Sequence, residues 1–112
     1  MLREGFIEDV IMIFSTVSSK GEAEKIARAL IGKRVAACVS MFGPIKSMYW
    51  WDGKIEESEE YLLIIKTTRS KYGELEGIIS KIHSYQVPEI LAIPIVSALK
   101  EYIEWLREEL EE

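Results

Sequence analysis

Asparagine is missing from this chain, and glutamine, cysteine and histidine occur once each, as Gln86, Cys38 and His83. A single cysteine excludes an intrachain disulfide and suits a reducing compartment. With no CxxC or HxxxH spacing, the chain cannot by itself supply the roughly three or four nitrogen and sulfur ligands of a zinc or copper site. Such a site would need added carboxylates or a second subunit. Basic residues are in deficit, 14 Lys and Arg against 19 Asp and Glu, for a net charge of −5 and a pI of about 5.0. That balance argues against a nucleic-acid backbone or an acidic membrane as the main partner. No apolar run approaches the ~20 residues of a membrane span. Met1-Leu2-Arg3-Glu4-Gly5 has no long apolar core behind a basic start, so no signal peptide is expected. GxSxG, Walker and GxGxxG motifs are absent, as is a carboxylate dyad at a predicted cleft.

What remains is a chain of 112 residues, 48% apolar and 29% charged, which reads as one globular domain spanning 1–112. Seventeen Glu and nine Lys beside the scarcity of heat-labile residues point to a thermostable protein.

The chain is organised around Tyr49-Trp50-Trp51-Asp52-Gly53-Lys54-Ile55. Asp-Gly between two β-prone runs is a hairpin signal, because both residues tolerate the positive φ a tight turn needs. The flanking runs, Val35 to Tyr49 and Lys54 to Thr68, are long for strands and read as one extended ribbon with an aromatic tip. Such a ribbon cannot bury both faces and both edges within one small chain, so part of it is expected to meet another subunit. Gly43-Pro44 interrupts the first run and predicts a bulge, bend or edge position.

Around this ribbon, Val10–Val17 is a continuous apolar strand pattern. Ser19 and Glu22 have capping-box spacing, followed by a helical stripe at Ala23, Ile26, Ala27, Leu30 and Ile31, with Gly32 as the stop. Ser70 is an N-cap candidate for a second helix bearing Tyr72, Leu75, Ile78, Ile79 and Ile82. A fourth strand is read over Val87–Val96, its prolines confining regular pairing to the middle. Ser97 is the expected cap of a final helix with Leu99, Tyr102, Ile103, Leu106 and Leu110 on one side. The order β-α-β-β-α-β-α predicts an α+β ferredoxin-like fold, a four-stranded antiparallel sheet with two helices on one face, a long hairpin and an extra C-terminal helix. The open sheet face needs a cover, and partner subunits are the economical one. An RNA-recognition domain shares this element order, but the aromatic RNA-binding run is missing and the charge opposes it.

Few residues carry obvious chemistry. His83, at a helix end, is either a metal ligand or proton carrier, or a structural residue bonded to a carbonyl. Cys38, between small apolar neighbours, fits a buried thiol better than a soft ligand. Glu56, Glu57, Glu59 and Glu60 could bind a hard cation, but read better as a solvated strand or one ion-paired between subunits, with Lys46 and Lys54 as candidate partners. Lys66, beside a central strand, is a buried ion pair, an anion contact or a strand-end cation. Trp50 and Trp51 point to opposite faces. Trp105 neighbours Tyr102 on the last helix. Exposed aromatics of this kind are interface anchors.

Several segments together resemble the CutA family of divalent-cation-tolerance proteins: Arg34-Val35-Ala36-Ala37-Cys38-Val39, Tyr49 to Ile55, Leu63-Ile64-Ile65-Lys66-Thr67, His83-Ser84-Tyr85-Gln86-Val87-Pro88-Glu89-Ile90, and Tyr102-Ile103-Glu104-Trp105-Leu106. The resemblance implies a tight homotrimer like that of PII-type nitrogen regulators, a cytoplasmic location, no catalytic activity, and a linkage to copper or another divalent cation with no organic cofactor. It implies His83 as a metal-binding position and places Trp51, Lys66, Tyr85 and Glu89 near an intersubunit cleft. Tyr49, Trp50, Trp51 and Trp105 are the expected trimer contacts. Ser84 stands where the family usually has proline, and Ser15 where some members carry cysteine. The expected function is non-enzymatic binding of a divalent cation or small ligand between subunits. The alternatives are a small enzyme acting on an anionic metabolite through Lys66, His83 and Glu89, and a trimeric anchoring module.

Overall fold

In the computed structural model, which describes residues 9–112, the elements run β1 (Val10–Val17), α1 (Lys20–Gly32), β2 (Cys38–Trp51), β3 (Lys54–Thr68), α2 (Tyr72–Ile82), β4 (Leu91–Pro94) and α3 (Lys100–Glu109). The N-terminal residues read for a signal peptide lie outside the described range. The strands form one antiparallel sheet in the order β2-β3-β1-β4. That is the ferredoxin-like arrangement expected from the element order.

Alternation along β1 and β3 divides the side chains between two faces. Ile11, Ile13, Val17, Leu63 and Ile65 point under α1 and α2, joining Ala23, Ile26, Leu30, Leu75 and Ile79 in the main core. A second, smaller cluster joins Val10 to Ile103, Leu106 and Leu110 of α3. Val10 alternates with Ile11, so α3 packs against one end of the opposite face. The rest of that face holds Met12, Phe14, Phe42, Leu62, Ile64, Leu91 and Ile93, and none of these is buried.

The ribbon is as long as the pattern requires: β2 has 14 residues, β3 has 15, and they turn at Asp52 (φ 52°) and Gly53 (φ 77°). It stretches the molecule to 47 Å in its longest dimension. The Gly43-Pro44 interruption is a register shift between Phe42 and Ile45, with a cis peptide at Gly43-Pro44. Gly43 is required there because a Cβ would lie 2.5 Å from the Tyr61 ring.

Several boundaries differ from the sequence reading. β2 starts at Cys38, not near Val35. Arg34 turns through a left-handed conformation (φ 55°), and Val35 N–H still bonds back to Leu30. The segment is then tied across to β3, with Thr67 Oγ1 donating to Val35 O at 2.6 Å and Ala37 N–H to Lys66 O at 3.0 Å. Neither predicted serine cap after β3 holds. Ser70 lies in a single 3-10 turn (Arg69–Lys71), and its hydroxyl bonds Glu112 instead. α3 starts after Leu99 with no side-chain cap, leaving Ser97 outside it. Ile31 is exposed rather than in the helical stripe, and Cys38 is half-buried rather than enclosed.

Candidate functional site

The polar side chains of the sheet face converge where β1, the end of α2 and the loop before β4 meet. Ser19 caps α1 as expected, its hydroxyl accepting from Glu22 N–H at 3.1 Å. The Glu22 carboxylate does not complete a capping box on Ser19. It accepts from Ser18 Oγ at 2.9 Å, Ser84 N–H at 2.6 Å and Ser84 Oγ at 3.0 Å. Burial alone would push the Glu22 carboxyl up, but the Ser84 and Ser18 hydrogen bonds outweigh it and hold the group below its ordinary value. The start of α1 and the end of α2 are thereby clasped by one acid. Ser84 is one half of that clasp.

His83 sits inside the clasp. Its side chain is wholly buried, and both ring nitrogens are used. Nε2 is 2.8 Å from the Thr16 carbonyl, which can only accept, so Nε2 carries the proton. Nδ1 accepts from Tyr85 N–H at 3.0 Å, with Glu22 Oε2 standing 3.6 Å away. This ring fastens the end of α2 to β1 and sets the start of the loop that follows. It has no lone pair free for a cation, and among the described residues no three His, Cys, Asp or Glu side chains are grouped as a metal would need. The position that the resemblance marks as a metal ligand is therefore a structural link within one protomer, and the residues present do not fit a cation there.

Tyr85 follows, its ring in tilted contact with His83 at 4.8 Å between centroids. Its hydroxyl donates to Glu60 Oε2 at 2.8 Å. Burial, and then the bond to the Glu60 carboxylate, raise the Tyr85 phenol far above its ordinary value. Glu89 lies nearby, its carboxyl raised by partial burial and by the Glu60 charge. Tyr85 and Glu89, both expected at a cleft, do come together. The residue that joins them, Glu60, was read as part of a solvated acidic strand but is only 6% exposed. Its parity was the available signal: Glu60 precedes Leu62 and Ile64 on the same face of β3, the face that has to be covered.

Lys66 is at the far end of that face. It is half-buried, opposite Met12 and Cys38 in register, and its ammonium lies 5.8 Å from the Tyr102 ring centroid. Tyr102 in turn meets Trp105 in a tilted ring contact at 5.5 Å between centroids. Trp51 is at the ribbon tip, 64% exposed beside Trp50 at 72%. One chain thus holds the expected cleft residues in three separate places. The best-defined hollow, about 290 Å³ and open, is lined by Lys20, Glu24, Met41, Gly43 and Tyr61 and includes none of them.

The family model for the CutA1 divalent ion tolerance protein matches residues 11–109. The chain belongs to the CutA1 family. Among curated relatives, the Divalent-cation tolerance protein CutA of Archaeoglobus fulgidus is 46% identical over 99 residues, covering 88% of this chain and 96% of the relative. The solved divalent cation tolerance protein of Thermus thermophilus superposes with a TM-score of 0.88 at 40% identity, covering 89% of this chain and 97% of that one. The Archaeoglobus fulgidus CutA structure, described as periplasmic, gives 0.88 at 44% identity over 90% of this chain and 98% of that one. CutA1 family members thus share the whole architecture with this chain, ribbon and C-terminal helix included.

Proposed function

We propose that this CutA1 family member is a non-enzymatic, cytoplasmic homotrimer that serves divalent-cation tolerance through clefts formed between its subunits, with copper as the leading cation. The family assignment supports the tolerance role. The observation that carries the assembly is the sheet face opposite α1 and α2. Phe42, Leu91 and Ile93 on it are 65%, 57% and 44% exposed, and Met12, Phe14, Leu62 and Ile64 lie between them. An apolar surface of this extent marks an interaction site. The ribbon adds Tyr49, Trp50, Trp51 and Ile55, all exposed, and Trp105 is 40% exposed on α3. Large aromatic side chains at the end of a projecting arm are the usual anchors of a subunit contact.

Because one protomer commits His83 internally, cation binding belongs to the assembly, where Lys66, Tyr85, Glu89 and Trp51 from different protomers can be neighbours. The location rests on the lone reduced-type cysteine, and the periplasmic description of the Archaeoglobus protein makes fractionation of the native host its test. Light scattering on purified protein should give a trimer, and a stable folded monomer at micromolar concentration would defeat the proposal. Copper titration of the wild type and of His83→Ala separates the metal from the assembly. Absence of saturable binding removes copper and leaves the trimer. Binding unchanged by His83→Ala is the expected result, and its loss would return the cation to His83.

A further inference from the structure

Glu60 is an enclosed carboxylate without a cation. Among the described residues its side chain is hydrogen-bonded only by the Tyr85 hydroxyl and forms no ion pair, and the carboxyl that its charge raises, Glu89, has the same sign. Buried charges in folded proteins are paired, because an isolated one is strongly disfavoured away from water. Lys66 is the mirror case. It is half-buried among apolar neighbours, and among the described residues its ammonium meets the Tyr102 ring but no carboxylate.

Both residues are on β3, six positions apart, and share the open face with Leu62 and Ile64 between them. Extended backbone at roughly 3.3 Å per residue keeps them far too distant to pair within one chain. On that face Lys66 is the only basic residue that β1, the β2 segment Cys38–Phe42, the β3 segment Glu60–Lys66 and β4 contribute. Covering the face with another copy brings Lys66 as the one strand cation set within the apolar part of that face; Lys54 shares its parity on β3 but lies at the exposed tip of the ribbon.

We propose that Lys66 of a second copy is the missing partner of Glu60, so that each cleft is built from an acidic half (Glu60, Tyr85, Glu89) of one protomer and a basic half (Lys66, Tyr102) of the next. The inference rests on the assembly reading above. A head-to-tail ring satisfies it: every protomer gives one Glu60 and receives one Lys66. Tyr85 then fixes the carboxylate and Tyr102 the ammonium, each from its own subunit.

The test is a mutant cycle read by analytical ultracentrifugation. Glu60→Gln and Lys66→Met should each weaken association by on the order of tenfold or more, since each strands a partner charge at the interface. The double variant should be no weaker than the worse single one. Carbodiimide coupling of mixed light and 15N-labelled protein should join Glu60 of one isotope to Lys66 of the other, and Lys66→Met should abolish the product. A trimer in which the two substitutions act additively, or which couples Lys66 elsewhere, overturns the pair and leaves the assembly standing. A monomeric wild type overturns both.

Discussion

Leu62 and Leu63 are consecutive residues with identical side chains and opposite surroundings. Leu63 is fully buried under α1 and α2, whereas Leu62 faces away from them and keeps part of its surface in water. The same division runs through β1, where Ile13 is buried and Phe14 is not. A strand that is apolar on both faces is built to be covered twice. This chain supplies one cover from its own helices and only a corner of the second from α3. The covered side is what lets a single chain fold, and the uncovered side is what the proposed assembly would use.

The sharpest way to break that contrast is a matched pair of truncations. Leu63→Ala should destabilise the fold by about 2–5 kcal/mol, as full core truncations do. Leu62→Ala should cost the isolated fold much less and show itself instead as a concentration-dependent loss of assembly. Urea denaturation at several protein concentrations reads both. Next in size, His83→Ala removes the link between α2 and β1 and leaves the Thr16 carbonyl and Tyr85 N–H without their partner, a loss of about 1–3 kcal/mol. Faster exchange of the Tyr85 amide would localise it. Ser15→Ala should act in the opposite direction. The Ser15 hydroxyl is fully buried with no hydrogen-bond partner among the described residues, so its removal should stabilise by about 1 kcal/mol or more, seen as a higher melting temperature.

Two pH effects are smaller and opposite in sign. The Glu22 carboxyl is lowered by folding, so its contribution is complete above the ordinary value near 4.5 and is lost as pH falls through the lower folded value. The stability difference between wild type and Glu22→Gln should therefore shrink on acidification. Glu89 is raised by folding, so its ionisation costs stability as pH climbs from the ordinary value through the higher folded one. Glu89→Gln should accordingly gain on the wild type over that interval. Chemical denaturation between pH 3 and 7 measures both differences.

Much of the architecture was legible because its signals are local. Apolar alternation, the Asp-Gly turn and the Gly43-Pro44 break each report on the residues that carry them. The element ends were less legible because they depend on distant partners: Thr67 holds Val35, and Glu112 takes the Ser70 hydroxyl that was expected to cap α2. The site was least legible for the same reason. His83 has the look of a ligand in sequence, but its engagement depends on the Thr16 carbonyl, 67 positions away. Glu60 looked like one of several solvated or ion-paired acids, and its bond to the Tyr85 hydroxyl, 25 positions away, could not be read from the strand.

The glycine beneath the Tyr61 ring has a consequence for the far end of the ribbon. Tyr61 lies flat against position 43, at the point where one strand carries extra backbone relative to the other. A methyl group there would press on the ring, and the easiest escape is for the ladder to lose its irregularity by sliding one residue. Side chains alternate, so a slide of one exchanges the sides of every residue beyond it, and the indole now at 50 would look where 51 looks. The missing β-carbon of Gly43 thus bears on which way each tryptophan of the ribbon tip faces, well removed from either ring.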